Sequence, residues 1–109
     1  MKTKEIKDNA IIFDNGNLLF YTHENDCCEY NYADFRQLDD IALSYDFDED
    51  LFLEPVDEAG FRFGDSRAMH FVPCYSVQNG YYSSDIVIHY FKRATNSHQI
   101  ISFNCEMCD

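Results

Sequence analysis

The residues of this chain whose types could do chemistry are its cysteines and histidines. Cys105-Glu106-Met107-Cys108 has the C-x-x-C spacing of one half of a zinc site. Cys28, from the adjacent pair Cys27-Cys28, could add a third thiolate, and His23 a fourth ligand. A structural zinc site usually wants two spaced pairs, however, and neighbouring side chains on a strand point to opposite faces. Free thiols are the plainer reading, so no metal is assigned, and Cys105, Cys108 and Cys28 stand as the zinc candidates. A histidine can activate a thiol, and His23 lies four residues before Cys27. Asp26 and Glu29 flank the cysteine pair, and negative neighbours raise a thiol pKa. No Gly-rich oxyanion loop follows. His70 and His89 fall inside apolar strand patterns and read as satisfied core histidines, while His98 reads as a turn residue. With twenty acidic side chains, any one carboxylate pair is expected by chance. The expectation is a protein without catalysis and without a cofactor.

The carboxylates themselves carry the strongest signal. Between Asp8 and Phe61 there are fifteen of them and a single basic residue, Arg36. Nine cluster near the middle: Asp39, Asp40, Asp46, Asp48, Glu49, Asp50, Glu54, Asp57 and Glu58. Lys2, Lys4, Lys7, Arg62, Arg67, Lys92 and Arg93 sit towards the two ends. Asp46, Asp48, Asp50 and Asp57 match positions 1, 3, 5 and 12 of a calcium loop. Position 6 is Leu51 where the turn needs Gly, and position 12 is Asp where a bidentate Glu is usual, so the match argues against a true site. The plain reading of the run is a solvated acidic face. The sharper one is a negative patch that steers a basic partner, with Tyr21, Tyr30, Tyr32 and Tyr45 as anchors beside it.

The elements that must position these residues are mostly strands. Ala10–Phe13 and Leu18–Tyr21 flank Asp14-Asn15-Gly16-Asn17, which reads as a β-hairpin. Phe35, Leu38, Ile41 and Ala42 recur at helical spacing and Asp34 can cap, which predicts one helix over about 33–44. Asp46 to Asp50 reads as a polar loop. Pro55 limits Leu51-Phe52-Leu53 to a strand end or edge, and Pro73 suggests an edge or a bulge in Met69–Val77. Phe61-Arg62-Phe63 alternates like an exposed strand. Asn79-Gly80 reads as a second hairpin turn. From Tyr81 to Phe91 both faces are apolar, which predicts a central strand covered on both sides. Gln99 to Asn104 returns as a last strand. The expected fold class is α+β: a mostly antiparallel sheet built from hairpins, with one helix, in a single acidic domain over residues 1–109.

Charge bounds the partners. The net charge is -12, which excludes most direct nucleic-acid binders and binders of anionic membranes, because both need a basic footprint. Ten Phe and eight Tyr are too many for a disordered acidic tail. The first residues carry no apolar signal region and no run is long enough to span a bilayer, so a cytoplasmic protein with reduced thiols is expected. It would be a monomer or a small homo-oligomer.

Two segments in this order, Asp26-Cys27-Cys28-Glu29 and Asn79-Gly80-Tyr81-Tyr82-Ser83, resemble a family of small uncharacterised domains found in phages and bacterial mobile elements. The likeness spans about 80 residues, from the first hairpin to the penultimate strand. The acidic stretch and the terminal C-x-x-C are not part of it. The resemblance implies a phage-like origin. Small acidic phage proteins often antagonise host nucleic-acid enzymes, anti-CRISPR and anti-restriction proteins among them. The expected function is therefore a non-enzymatic inhibitor that mimics nucleic acid and enters the basic groove of a host defence nuclease. The alternative is a structural or accessory domain, zinc-stabilised through the cysteines, whose acidity only keeps it dissolved.

Overall fold

A computed structural model of the protein describes residues 1–23, 29–38, 40–57, 59–78 and 85–104. Strand β1 (Thr3–Ile6) pairs with β2 (Ala10–Phe13), and β2 with β3 (Leu18–His23). Asp14, Asn15 and Gly16 close the second of these hairpins. Gly16 has φ +88°, donates its N–H to the Phe13 carbonyl at 3.0 Å, and sits where a side chain would be strained. This is a three-residue loop with Gly in the left-handed position, not a two-residue Asn-Gly turn.

Strand β4 is Glu29–Ala33, β5 Phe52–Val56, β6 Gly60–Gly64 and β7 Met69–Gln78. Strands β8 (Asp85–Lys92) and β9 (Ser97–Asn104) complete the fold. They form two antiparallel sheets, ordered β1-β2-β3-β8-β9 and β4-β7-β6-β5. The sheets face each other across one core. Ile11, Phe13, Leu19, Tyr21, Ile86, Ile88 and Tyr90 come from the first sheet, and Leu53, Phe61, Phe63, Val72 and Cys74 from the second. Each fully buried Phe, Leu or Ile contributes about 1.5–3 kcal/mol by leaving water. Period-two alternation places Val87, His89 and Phe91 of β8 on the outer face, where they are only half-buried. The central position expected for this strand holds, but the covering on both sides does not. Its outer face has no layer over it among the described residues.

The expected helix over 33–44 is broken into smaller pieces. Ala33 is held in β4 opposite Cys74. The Asp34 side chain accepts from the Arg36 N–H and caps a single 3-10 turn, Phe35–Gln37. Leu38 is extended, and among the described residues of this stretch only Asp40–Ser44 (α1) is α-helical. Sheet pairing at one end and burial of Phe35 and Ala42 on separate turns outweigh the helical spacing. The fold is thus mostly antiparallel sheet with little helix.

Both prolines have a place. Pro55 lies on β5, the edge of its sheet. Pro73 lies within the central strand β7, neither an edge nor a bulge. There β7 changes partner, from β6 up to residue 73 to β4 from residue 74. The Pro73 carbonyl accepts from Asp34, and the next N–H, of Cys74, donates to Ala59. Phe61 and Phe63 are core residues, so Arg62 alone of that trio is exposed. No described helix is long and apolar enough to cross a membrane.

Candidate functional site

The acidic stretch becomes a loop, residues 45–51, pinned to the body of the protein from several directions. The Met1 ammonium donates to the Phe47 carbonyl at 2.6 Å, and the Phe47 N–H donates to the Met1 carbonyl at 2.7 Å. Phe47 and Leu51 are buried in the core. The Tyr90 hydroxyl, from the centre of the first sheet, donates to the Glu49 carbonyl at 2.6 Å. The Arg67 guanidinium donates to the Asp46 carbonyl at 2.7 Å.

Asp65 fastens the same loop from below. It is almost fully buried and accepts from Tyr45 Oη, from the backbone N–H groups of Asp48, Arg67 and Ala68, and from the Arg67 guanidinium. Burial alone would raise its pKa. The hydrogen bonds from Arg67, Asp48 and Tyr45 outweigh burial and hold the carboxyl well below the usual carboxylate range. Arg67 also lies over the Tyr45 ring, 5.2 Å from its centroid.

With its backbone tied down, the loop turns its carboxylates outward. Asp46, Asp48, Glu49 and Asp50 are all exposed. Three of them meet cations: Asp46 the N-terminal ammonium at 2.8 Å, Asp48 the Arg67 guanidinium at 3.6 Å, and Asp50 the Lys92 ammonium. The hydrogen bond from the ammonium holds the Asp46 carboxyl below its ordinary pKa. Part of the charge that is separated along the sequence is therefore paired in space, because the fold returns the N-terminal ammonium, Arg67 and Lys92 to the acidic loop. Glu49 has no ion pair among the described residues.

The other expected partner-binding residues lie on neighbouring elements. Asp40 opens α1 and is exposed. Glu54 projects from the outer face of β5 and receives the Arg62 guanidinium at 2.6 Å. Asp57 follows β5 in a turn, with φ +41°. Asp39 and Glu58 lie outside the described residues, as do Cys28, Cys105, Cys108 and the Asn79-Gly80 turn. The calcium spacing does not form a loop, since β5 carries Asp57 away from Asp46, Asp48 and Asp50.

Two of the four tyrosines have structural duties instead of anchoring a partner. Tyr21 is in the core, and Tyr45 stacks edge-on to Phe47 and binds Asp65. Exposed apolar side chains stand near the acids instead. Phe52 and Phe71 stand on the outer face of the second sheet at 60% and 45% exposure. Phe71 pairs across the strands with Arg62, and Arg62 with Glu54. Alternation around the buried Leu51 and Leu53 is the signal that would have placed Phe52 outside.

The histidines also depart from expectation. The His70 ring packs against Tyr45, Phe47 and Phe63, but its Nε2 is buried with no hydrogen-bond partner among the described residues. His89 is on the outer face, not in the core. His98 is a β9 residue opposite Phe91, not a turn residue, because the turn ends at Asn96 with φ +52°.

No family model, curated protein or solved structure matches the chain.

Proposed function

We propose that this is a non-enzymatic binding protein whose acidic loop enters a basic nucleic-acid-binding groove, of the kind a host defence nuclease presents. In that role it would be a phage-type inhibitor, an anti-CRISPR or another anti-defence protein. The observation that carries the reading is the pinned loop: four carboxylates within five residues, all outward, on a backbone fixed by Met1, Asp65, Arg67 and Tyr90. Fixing the acids beforehand lowers the entropy cost of binding. Spaced negative charges on a rigid backbone present to a basic groove what a phosphate backbone presents. The exposed Phe52 and Phe71 add apolar contact beside them.

One observation favours a second reading, an accessory domain whose acidity serves solubility. Asp46, Asp48, Asp50 and Glu54 are each answered by a cation of the same chain. The test therefore reverses acids that hold no ion pair among the described residues, Asp40→Lys with Glu49→Lys, and leaves the pinning contacts intact. The wild-type chain is used to capture partners from bacterial lysate at low salt and near 1 M salt, where the Debye length falls to about 3 Å. Capture of a nucleic-acid enzyme that salt, DNA and the double variant each weaken is the expected result. Capture that the double variant leaves unchanged overturns the acidic-loop reading, and absence of any nucleic-acid enzyme supports the accessory domain.

A further inference from the structure

The outer face of the five-stranded sheet holds a pair of imidazoles that neither reading above uses. His89 Nδ1 and His98 Nε2 are hydrogen-bonded at 2.9 Å, and with the His89 proton on Nε2 against Thr22 it is His98 Nε2–H that donates, a proton a metal ion would displace. The two residues are diagonal neighbours on adjacent strands: His89 stands opposite Ile100, and His98 opposite Phe91. Both rings are oriented by their surroundings. Phe20 stacks flat on His89, with centroids 4.6 Å apart and parallel planes. Phe91 meets His98 edge-on at 6.4 Å. On the far side of the His89 ring, Nε2 bonds Thr22 Oγ1 at 2.8 Å.

We propose that His89 Nδ1 and His98 Nε2 chelate a divalent late transition-metal ion of the Ni(II) or Cu(II) class. Imidazole nitrogens bind such ions at about 2.0–2.1 Å, as they do zinc. Two ligands at that length and a right angle lie about 2.9 Å apart, and at a tetrahedral angle about 3.4 Å. The observed spacing fits neighbouring positions of an octahedral or tetragonally elongated ion with water in the remaining positions. Thr22 plays the part of the outer partner that fixes the tautomer of a ligating histidine. With the His89 proton on Nε2, Nδ1 offers its lone pair. His98 is exposed and carries its proton on Nδ1 when Nε2 ligates. Water completes the coordination, since the pair opens to solvent. The net charge of -12 raises the local concentration of any dication.

The experiment titrates the full-length chain with NiCl2 by calorimetry after its accessible thiols have been alkylated, which removes cysteine competition. The same samples are followed by the imidazole nuclear resonances. The expected result is one equivalent bound, with paramagnetic broadening of the His89 and His98 signals before those of His70. His98→Gln, at an exposed position, should weaken binding more than about tenfold, and Thr22→Val by a factor of about ten or more as an outer partner. Wild-type affinity in His98→Gln overturns the proposal. So does a one-to-one complex in which His89 and His98 stay sharp, whatever the variants do.

Discussion

Tyr90 donates its hydroxyl proton to the backbone carbonyl of Glu49 at 2.6 Å, so the centre of the first sheet holds the middle of the acidic loop. The same oxygen accepts from Asn17 Nδ2 at 2.8 Å. Burial, with Glu49 and Asp50 nearby, pushes the Tyr90 pKa up to about 12. A tyrosine pKa raised on folding adds stability below the unfolded value of about 10 and loses it as pH rises towards 12. Tyr90→Phe should cost about 1–2 kcal/mol at neutral pH, because it removes a bond to the buried Asn17 amide and a part-buried bond to the Glu49 carbonyl. It should also flatten the decline above pH 10. Urea melts between pH 8 and 11 check both, and a neutral substitution would show that the loop is held elsewhere.

Asp65 makes the opposite linkage. Its folded pKa lies below the unfolded one, so its contribution is complete at neutral pH and fades as pH falls below about 5. Asp65→Asn should destabilise by about 3 kcal/mol, as breaking a buried charge pair does, and should remove much of the acid sensitivity. Thermal melts at pH 7 and pH 3 compare the two chains. An equal loss on acidification in both would assign the acid sensitivity to other groups.

Gly60 faces the backbone of β7 so closely that a Cβ would stand 2.2 Å from the Val72 carbonyl oxygen. At Gly64 the distance to the Ala68 carbonyl oxygen would be 2.0 Å. The obstructing atoms are backbone, which cannot swing aside. Gly60→Ala should therefore destabilise by about 2–3 kcal/mol through overpacking. Chemical denaturation measures it, and a cost under about 0.5 kcal/mol would mean that the strands separate readily there.

Phe52 and Phe71 stand on the outer sheet face beside the Glu54–Arg62 pair. If they serve a partner and not the fold, Phe52→Ser and Phe71→Ser should each change stability by less than about 1 kcal/mol. Both should weaken capture of the partner. Loss of fold with no change in capture would remove them from the surface proposed for binding.

The hairpin through Asn15-Gly16, the edge position of Pro55, the polar loop at Asp46–Asp50 and the antiparallel character were legible in the residues alone. Turn chemistry and period-two alternation are local, and each is decided within a few neighbouring residues. The helix over 33–44 failed because its spacing signal competed with distant partners. Cys74 claimed Ala33 for the sheet, and the core claimed Phe35 and Ala42 on separate turns. The outer face of β8 looked buried because apolar residues mark burial in one direction only, and an exposed aromatic reads the same as a covered one.

For the acidic stretch, the sequence by itself determined the number of carboxylates, their order and the total charge. The tertiary structure decided which of them are answered. Met1, Arg67 and Lys92 are far from Asp46, Asp48 and Asp50 along the chain, yet they reach them in the fold. The same is true of Tyr90 at the Glu49 carbonyl, and of His89 beside His98, which only the β8–β9 register brings together. Charge is additive along a chain, but ion pairing and hydrogen bonding act over a few ångströms, and only strand pairing sets those distances.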